Sequence, residues 1–268
     1  KTVLGFFTTA DSIAANNVVL AFYRHITSPE CRMYLLRQAY EEAIHTHSYQ
    51  YIVESLGLDE SEIFNMYREV EAIYNKDAFI LSFNEGIFDP SFRTGTFEAD
   101  QKFLENMAVF SLILEGIFFY SSFAVMFGFQ RQNKMPGSAE QIQYIMRDES
   151  QHLNFGINLI NSIKEEQPEL WTPEFQQHIV DLIRKAVVLE YTFAQEVFPR
   201  GIFGMNAEGF KQYIEHVADR RLERVGLPVQ YHAENPFPWM SEAVDLSKEK
   251  NFFETRVTEY KVGGALEW

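Results

Sequence analysis

Apolar positions recur along most of this chain with the 3.6-residue period of an α-helix, and no stretch shows the two-residue alternation, bounded by turns, that marks a strand. Residues 6–24 read as a helix with one acid, Asp11, among small and apolar neighbours. Ser28–Pro29–Glu30 is a helix start: an N-cap, a proline in the first turn and an acid at the positive end of the dipole. The helix it opens runs to Gly57, and Asp59 or Ser61 caps a third helix through about Asn75. Residues 84–96 carry Asn, Gly, Asp-Pro and Thr-Gly-Thr and read as a loop ending at an N-cap. A long helix follows from about Thr96 to Phe129, and Pro136–Gly137–Ser138 breaks the chain after it. Further helices are expected from about Ala139 to Ile163, from Thr172–Pro173–Glu174 to about Val197, and from Ala207 to Val225. Beyond Gly226 the periodicity fades, apart from a short turn near Ser241–Asp245. The pattern predicts an all-α chain, with one helical domain over residues 1–227 and a C-terminal segment over 228–268.

The helix from Thr96 is the most apolar, with Glu115 the only charge between Asn106 and Gln130. Its length and apolarity match a membrane span, yet the neighbouring segments are amphipathic and one central Glu in lipid is costly. A helix buried on all sides in a bundle is the expected state. An ionised acid there must be paired or must bind a metal, which singles out Glu115.

Composition narrows the function classes. The 268 residues suffice for a sizeable core, and 25 Phe with 13 Tyr argue for a thick, folded interior. A net charge of −15 argues against a nucleic-acid or anionic-membrane surface. The single cysteine, Cys31, excludes an internal disulfide and fits a reducing, cytoplasmic compartment. No signal peptide is visible, and the start at Lys1 without Met suggests that an N-terminal segment is missing.

Two short motifs supply candidate chemistry. In Glu42–Ala43–Ile44–His45 and in Glu149–Ser150–Gln151–His152 a carboxylate precedes an imidazole by three residues, so on a helix both point from one face. Two such pairs, with acids from two other helices, make a dimetal carboxylate site. The other acids are Glu115 and Asp11, although Asp11 alone could equally cap or pair locally. Either histidine alone could be an ordinary core or surface residue. Glu190 competes for a ligand role, but its Tyr and polar neighbours allow it to be a solvated or hydrogen-bonded acid. Four carboxylates and two imidazoles are a hard set suited to iron or manganese. Tyr49 continues the Glu42, His45 stripe at i+7, one turn beyond the histidine, whereas the same position after Glu149 is Gly156.

Asp11-Ser12-Ile13, Glu41-Glu42-Ala43-Ile44-His45-Thr46-His47-Ser48-Tyr49, Glu115-Gly116-Ile117-Phe118-Phe119-Tyr120 and Arg147-Asp148-Glu149-Ser150-Gln151-His152-Leu153, with Asn235-Pro236-Phe237-Pro238-Trp239 and the tail, resemble the small, radical-generating subunit of class I ribonucleotide reductase. The resemblance spans nearly the whole chain. It implies a ferritin-like helical bundle with four ligand-bearing core helices and a C-terminal tail. It also implies two metal ions per chain, Fe/Fe or Mn/Fe, with dioxygen as oxidant. By the same resemblance Asp11, Glu42 and His45 lie nearer metal one, and Glu115, Glu149 and His152 complete the site. Tyr49 would carry the radical, Phe119, Phe123 and Ile145 would form its apolar pocket, and Asp148 would hydrogen-bond a ligating histidine. Tyr260 would pass the oxidising equivalent to a large catalytic subunit, with Leu266 and Trp268 anchoring the tail there. The implied partners are that large subunit, a second copy in a homodimer, and a flavodoxin- or ferredoxin-type reductant. Two features depart from the family. Its relay tryptophan, upstream of the Asp11 position, has no counterpart among Trp171, Trp239 and Trp268. Asn251 to Val257 and Thr46-His47 look most like the manganese/iron branch, where Phe is usual at the Tyr49 position. Iron storage and a stand-alone dimetal oxidase are the competing readings.

Overall fold

The computed structural model describes residues 1–197, 199–202 and 205–240. The turn near Ser241–Asp245, Tyr260, Leu266 and Trp268 lie outside the described residues. Among the described residues there is no strand, and the one β-type pairing is an isolated bridge between Ile202 and Met205. The helices are α1 (Thr2–Asn17), α2 (Pro29–Ser55), α3 (Glu60–Phe64), α4 (Met66–Glu69), α5 (Glu71–Ser82), α6 (Phe97–Ala108), α7 (Phe119–Gln130), α8 (Pro136–Glu166), α9 (Pro173–Val197) and α10 (Ala207–Arg224). π-Helical segments extend α1 (Val18–Phe22) and join α6 to α7 (Val109–Phe118).

The starts follow the capping chemistry of the sequence. Ser28 accepts from the Cys31 amide with Pro29 in the first turn, Asp59 accepts from the Glu62 amide, and Thr96 accepts from the Ala99 amide. Three expectations need correction. The third helix is three pieces reaching Ser82, because Val70 turns extended (φ −101°, ψ 107°) and restarts the chain. Pro136 opens α8 instead of breaking the chain before it, with left-handed Met135 (φ 51°) making the bend. The long central helix is not regular: ten residues, Val109–Phe118, are π-helical and include Glu115.

α1, α2, the π segment and α8 surround the interior, with α9 and α10 packed on the outside of the π segment. The most apolar stretch of the helix Phe97–Gln130 has a mean hydropathy of 1.8 and is wholly buried within the protein, as an all-round apolar helix in a bundle should be. The π turn needs close neighbours. The Gly116 carbonyl accepts from Arg221 Nε at 2.8 Å, and a Cβ at Gly116 would stand 3.0 Å from the Ser111 carbonyl and 3.1 Å from that same Nε. At Gly156 of α8 a Cβ would strike the Ser111 side chain, so α8 lies directly on the π segment.

Candidate metal centre

The four core elements each deliver ligand-type atoms to one buried place. Asp11 comes from α1, Glu42 and His45 from α2, Glu115 from the π segment, and Glu149 and His152 from α8; each is at most 1% exposed. Asp11, Glu42, His45 and Glu149 present donor atoms all within 4.8 Å of one another, and so do Glu42, Glu115, Glu149 and His152. Glu42 and Glu149 belong to both groups. The arrangement therefore offers two adjacent cation positions that share two carboxylates.

Each histidine turns its Nδ1 inward. His45 Nδ1 lies 2.9 Å from Glu149 and 3.6 Å from Asp11, and His152 Nδ1 lies 3.2 Å from both Glu42 and Glu149. Each outer Nε2 meets an acid from the opposite helix: His45 meets Asp148 at 3.4 Å, and His152 meets Glu41 at 2.9 Å. A step of four residues up α2 is matched by a step of four down α8, so the two helices run antiparallel and the centre is close to twofold symmetric. Asp148 thus serves the histidine of the other motif, not its own. Glu41 is its counterpart, and it was missed because an acid next to another acid reads as surface charge. The available signal was its place immediately before Glu42, where Asp148 stands before Glu149. Arg147 and Arg37 hold the far sides of these two acids.

Gln38, one turn before Glu42, donates to Glu115 Oε1 at 2.7 Å and fixes that carboxylate from α2. Burial pushes Asp11 and Glu115 well above the usual carboxylate range, and the charges of Glu42 and Glu149 add to it. Burial acts the same way on Glu149, but His152 and His45 outweigh it and hold that carboxyl low. Burial works against charge on both imidazoles, yet the acids that face them, Asp148, Glu149 and Glu42 for His45 and Glu149, Glu41 and Glu42 for His152, raise both well above 6.5. So many acids in a dry interior require positive charge, supplied by protons or by metal. Both oxygens of Asp11 and of Glu42, with Glu115 Oε2 and Glu149 Oε1, have no hydrogen-bond partner. Cations between them would complete all of these atoms, and the donor set fits iron or manganese.

Tyr49 lies beyond His45 on the same face of α2 and is fully buried. Its ring stacks on Phe7 at 4.8 Å and 5°, and Phe7 stacks in turn on Phe123 at 5.3 Å with Phe119 6.1 Å away. Ile145 is buried on α8 at the level of Tyr49 that the antiparallel register sets. Burial first, then the charges of Asp11, Glu149 and Glu42, hold the Tyr49 phenol protonated. Its hydroxyl faces Asp11 too loosely for a well-formed hydrogen bond. Phe7 was not foreseen, although it precedes Asp11 by one turn on the same face.

Glu190 is neither a solvated acid nor beside the six. It is 1% exposed on α9, pairs with the buried Lys76 of α5 at 2.6 Å and accepts from Ser121. Lys76 Nζ also lies over Phe6, Phe193 and Phe118, at 3.4, 4.1 and 4.6 Å from the ring centroids.

Residues 1–236 match the family described as "Ribonucleotide reductase, small chain". The chain is 57% identical over 265 residues to the ribonucleoside-diphosphate reductase subunit beta of Chlamydia pneumoniae, covering 99% of this chain and 77% of that protein. It is 31% identical over 266 residues to a ribonucleoside-diphosphate reductase small chain of Plasmodium falciparum, covering 99% and 71%. In structure it is similar to a ribonucleotide reductase R2 subunit from Clostridium botulinum, with TM-score 0.82 and 28% identity over 91% of this chain and 75% of that one.

Proposed function

Since the chain belongs to the ribonucleotide reductase small-chain family, and so acts as the small subunit of a ribonucleoside-diphosphate reductase beside a large subunit, we propose that its buried acids and imidazoles hold the two metal ions of that subunit. Asp11 and His45 would hold one ion and Glu115 and His152 the other, with Glu42 and Glu149 available to both. The observation that carries this reading is the sharing of Glu42 and Glu149 between two overlapping donor groups. Such a centre, Fe/Fe or Mn/Fe, supplies the reaction with dioxygen that leaves a strong oxidant in the protein. Family membership sets aside iron storage and a stand-alone oxidase.

The chain's own residues then have distinct tasks. Glu41 and Asp148 fix the tautomer and direction of His152 and His45. Gln38 steadies Glu115. Tyr49 gives up an electron and its phenolic proton, and Phe7, Phe119, Phe123 and Ile145 keep water and reductants from the radical that remains. Residues 259–268 dock on the large subunit, with Tyr260 passing the oxidising equivalent and Leu266 and Trp268 anchoring it. The exposed stripe Met33, Leu36, Tyr40, Ile44 and Tyr51 along α2 supports the homodimer, because so long an apolar row calls for cover. A flavodoxin- or ferredoxin-type reductant completes the partners, in the cytoplasm.

Metal analysis with electron paramagnetic resonance on aerobically reconstituted protein tests the reading. Two metals per chain and a tyrosyl signal lost in Tyr49→Phe are expected. Full activity in Tyr49→Phe, with no tyrosyl signal in the parent, would place the oxidant on the metals and not on Tyr49.

A further inference from the structure

The twofold arrangement of the centre raises a question about its second half. Tyr49 follows Glu42 by seven residues, but the matching position after Glu149 is Gly156, filled by Ser111. A phenol is nevertheless present on that side, supplied by the other helix. Tyr34 precedes Glu42 by eight residues on α2 and stacks on Phe155 of α8 with centroids 4.1 Å apart and planes 23° apart. It lies one turn before Gln38, which holds Glu115, and Phe155 lies three residues after His152. At 1.5 Å per residue Tyr34 and Tyr49 stand about 12 and 10 Å along the axis from Glu42, on opposite sides. The Tyr34 hydroxyl is buried and has no hydrogen-bond partner, while its ring is part-exposed.

We propose that Tyr34 is the oxidisable phenol of the Glu115–His152 half of the centre, a transient counterpart of Tyr49 through which an electron can reach the metals from outside. The assignment rests on the dimetal reading above. In the step, the Tyr34 Oη–H bond breaks. One electron goes to the dioxygen-oxidised metal pair, which is reduced by one unit, and the proton goes to the Glu41 carboxylate, the nearby acid that is not among the metal-holding groups. The product is a neutral phenoxyl. An external one-electron donor and a proton from solvent restore the phenol, and the net result is one electron delivered to the metals and one proton to Glu41. Burial is the main cause of the raised phenol pKa; His152 opposes it, and Glu115, Glu41 and Glu149 add to it. The two phenols differ in cover. Tyr49 is sealed among aromatic rings and suits storage, whereas the part-exposed ring of Tyr34 suits rapid re-reduction.

The test is freeze-quench electron paramagnetic resonance on Tyr49→Phe loaded with iron(II) and mixed with dioxygen, with ring-deuterated tyrosine in the chain. A short-lived tyrosyl signal, narrowed by deuteration and abolished in Tyr49→Phe/Tyr34→Phe at unchanged iron content, is expected. No tyrosyl signal in Tyr49→Phe, or one that survives the second substitution, overturns the assignment. Iron content separates the two failures. A parent chain that binds no iron pair overturns the dimetal reading and this one with it, whereas bound iron without a Tyr34-dependent signal overturns this one alone.

Discussion

Removing Glu41 should weaken metal binding more than removing Asp148, although only Asp148 is foreshadowed by the sequence. Glu41 stands 2.9 Å from His152 Nε2, inside the usual hydrogen-bond range, and Asp148 stands 3.4 Å from His45 Nε2, beyond it. Each acid keeps its imidazole in the tautomer that leaves Nδ1 free, and loss of such a partner costs about ten- to a hundredfold in metal affinity. That factor corresponds to about 1.4–2.7 kcal/mol. Glu41→Ala should fall in this range because a close contact is lost. Asp148→Ala should cost tenfold or less, on the order of 1.4 kcal/mol, since a long contact already shared with Arg147 gives less to lose. Glu41→Gln keeps an acceptor oxygen and should lie between Glu41→Ala and the parent. Anaerobic competition for manganese(II) against a chelator, with circular dichroism to confirm folding, gives the three affinities. Glu41→Ala within twofold of the parent, or Asp148→Ala as the more damaging change, would refute the reasoning.

Other expected outcomes address the remaining interior. Lys76→Met or Glu190→Gln alone should cost about 3–5 kcal/mol in urea unfolding, because each leaves a buried charge or its partner uncompensated, and Lys76→Met/Glu190→Leu should recover most of the loss. Burial pushes Asp77 up to about 7 against the opposing charge of Lys76. The unfolded chain therefore sheds this proton first, and the Asp77 contribution to stability falls as pH rises from about 4 to 7. Asp77→Asn should flatten that part of the profile, read as denaturation midpoints at pH 5 and pH 8; an unchanged slope would contradict the assignment. Gly116→Ala should destabilise by about 1–3 kcal/mol through overpacking against Ser111, Arg221 and Leu153, and should lower metal content if the π turn aims Glu115. Unaltered melting and metal content would show that the turn has room to spare.

Much of the site was legible because the acids and imidazoles that converge there obey helix periodicity. Glu42 with His45, and Glu149 with His152, are local facts of spacing, and Glu115 stood out as one charge in a long apolar run. The helix starts at Ser28, Asp59 and Thr96 were legible for a similar reason, since a capping side chain bonds an amide only a few residues away. What escaped depends on contacts between distant segments. The π form of Val109–Phe118 appears where Arg221, Ser111 and Leu153 crowd Gly116. The pairing of Lys76 with Glu190 needs α5 against α9, a contact that no spacing within either helix announces. Glu41 and Asp148 have meaning only once the antiparallel register of α2 and α8 is known. Pro136 misled because proline both breaks helices and opens them, and the left-handed bend at Met135 decided between the two.

Anomalous diffraction from crystals of manganese(II)-loaded protein tests the central claim most directly, because it places each ion among its ligands. Two peaks are expected, both bound by Glu42 and Glu149, one also by Asp11 and His45 and the other also by Glu115 and His152. A single peak, or two peaks that do not share Glu42 and Glu149, would contradict the account.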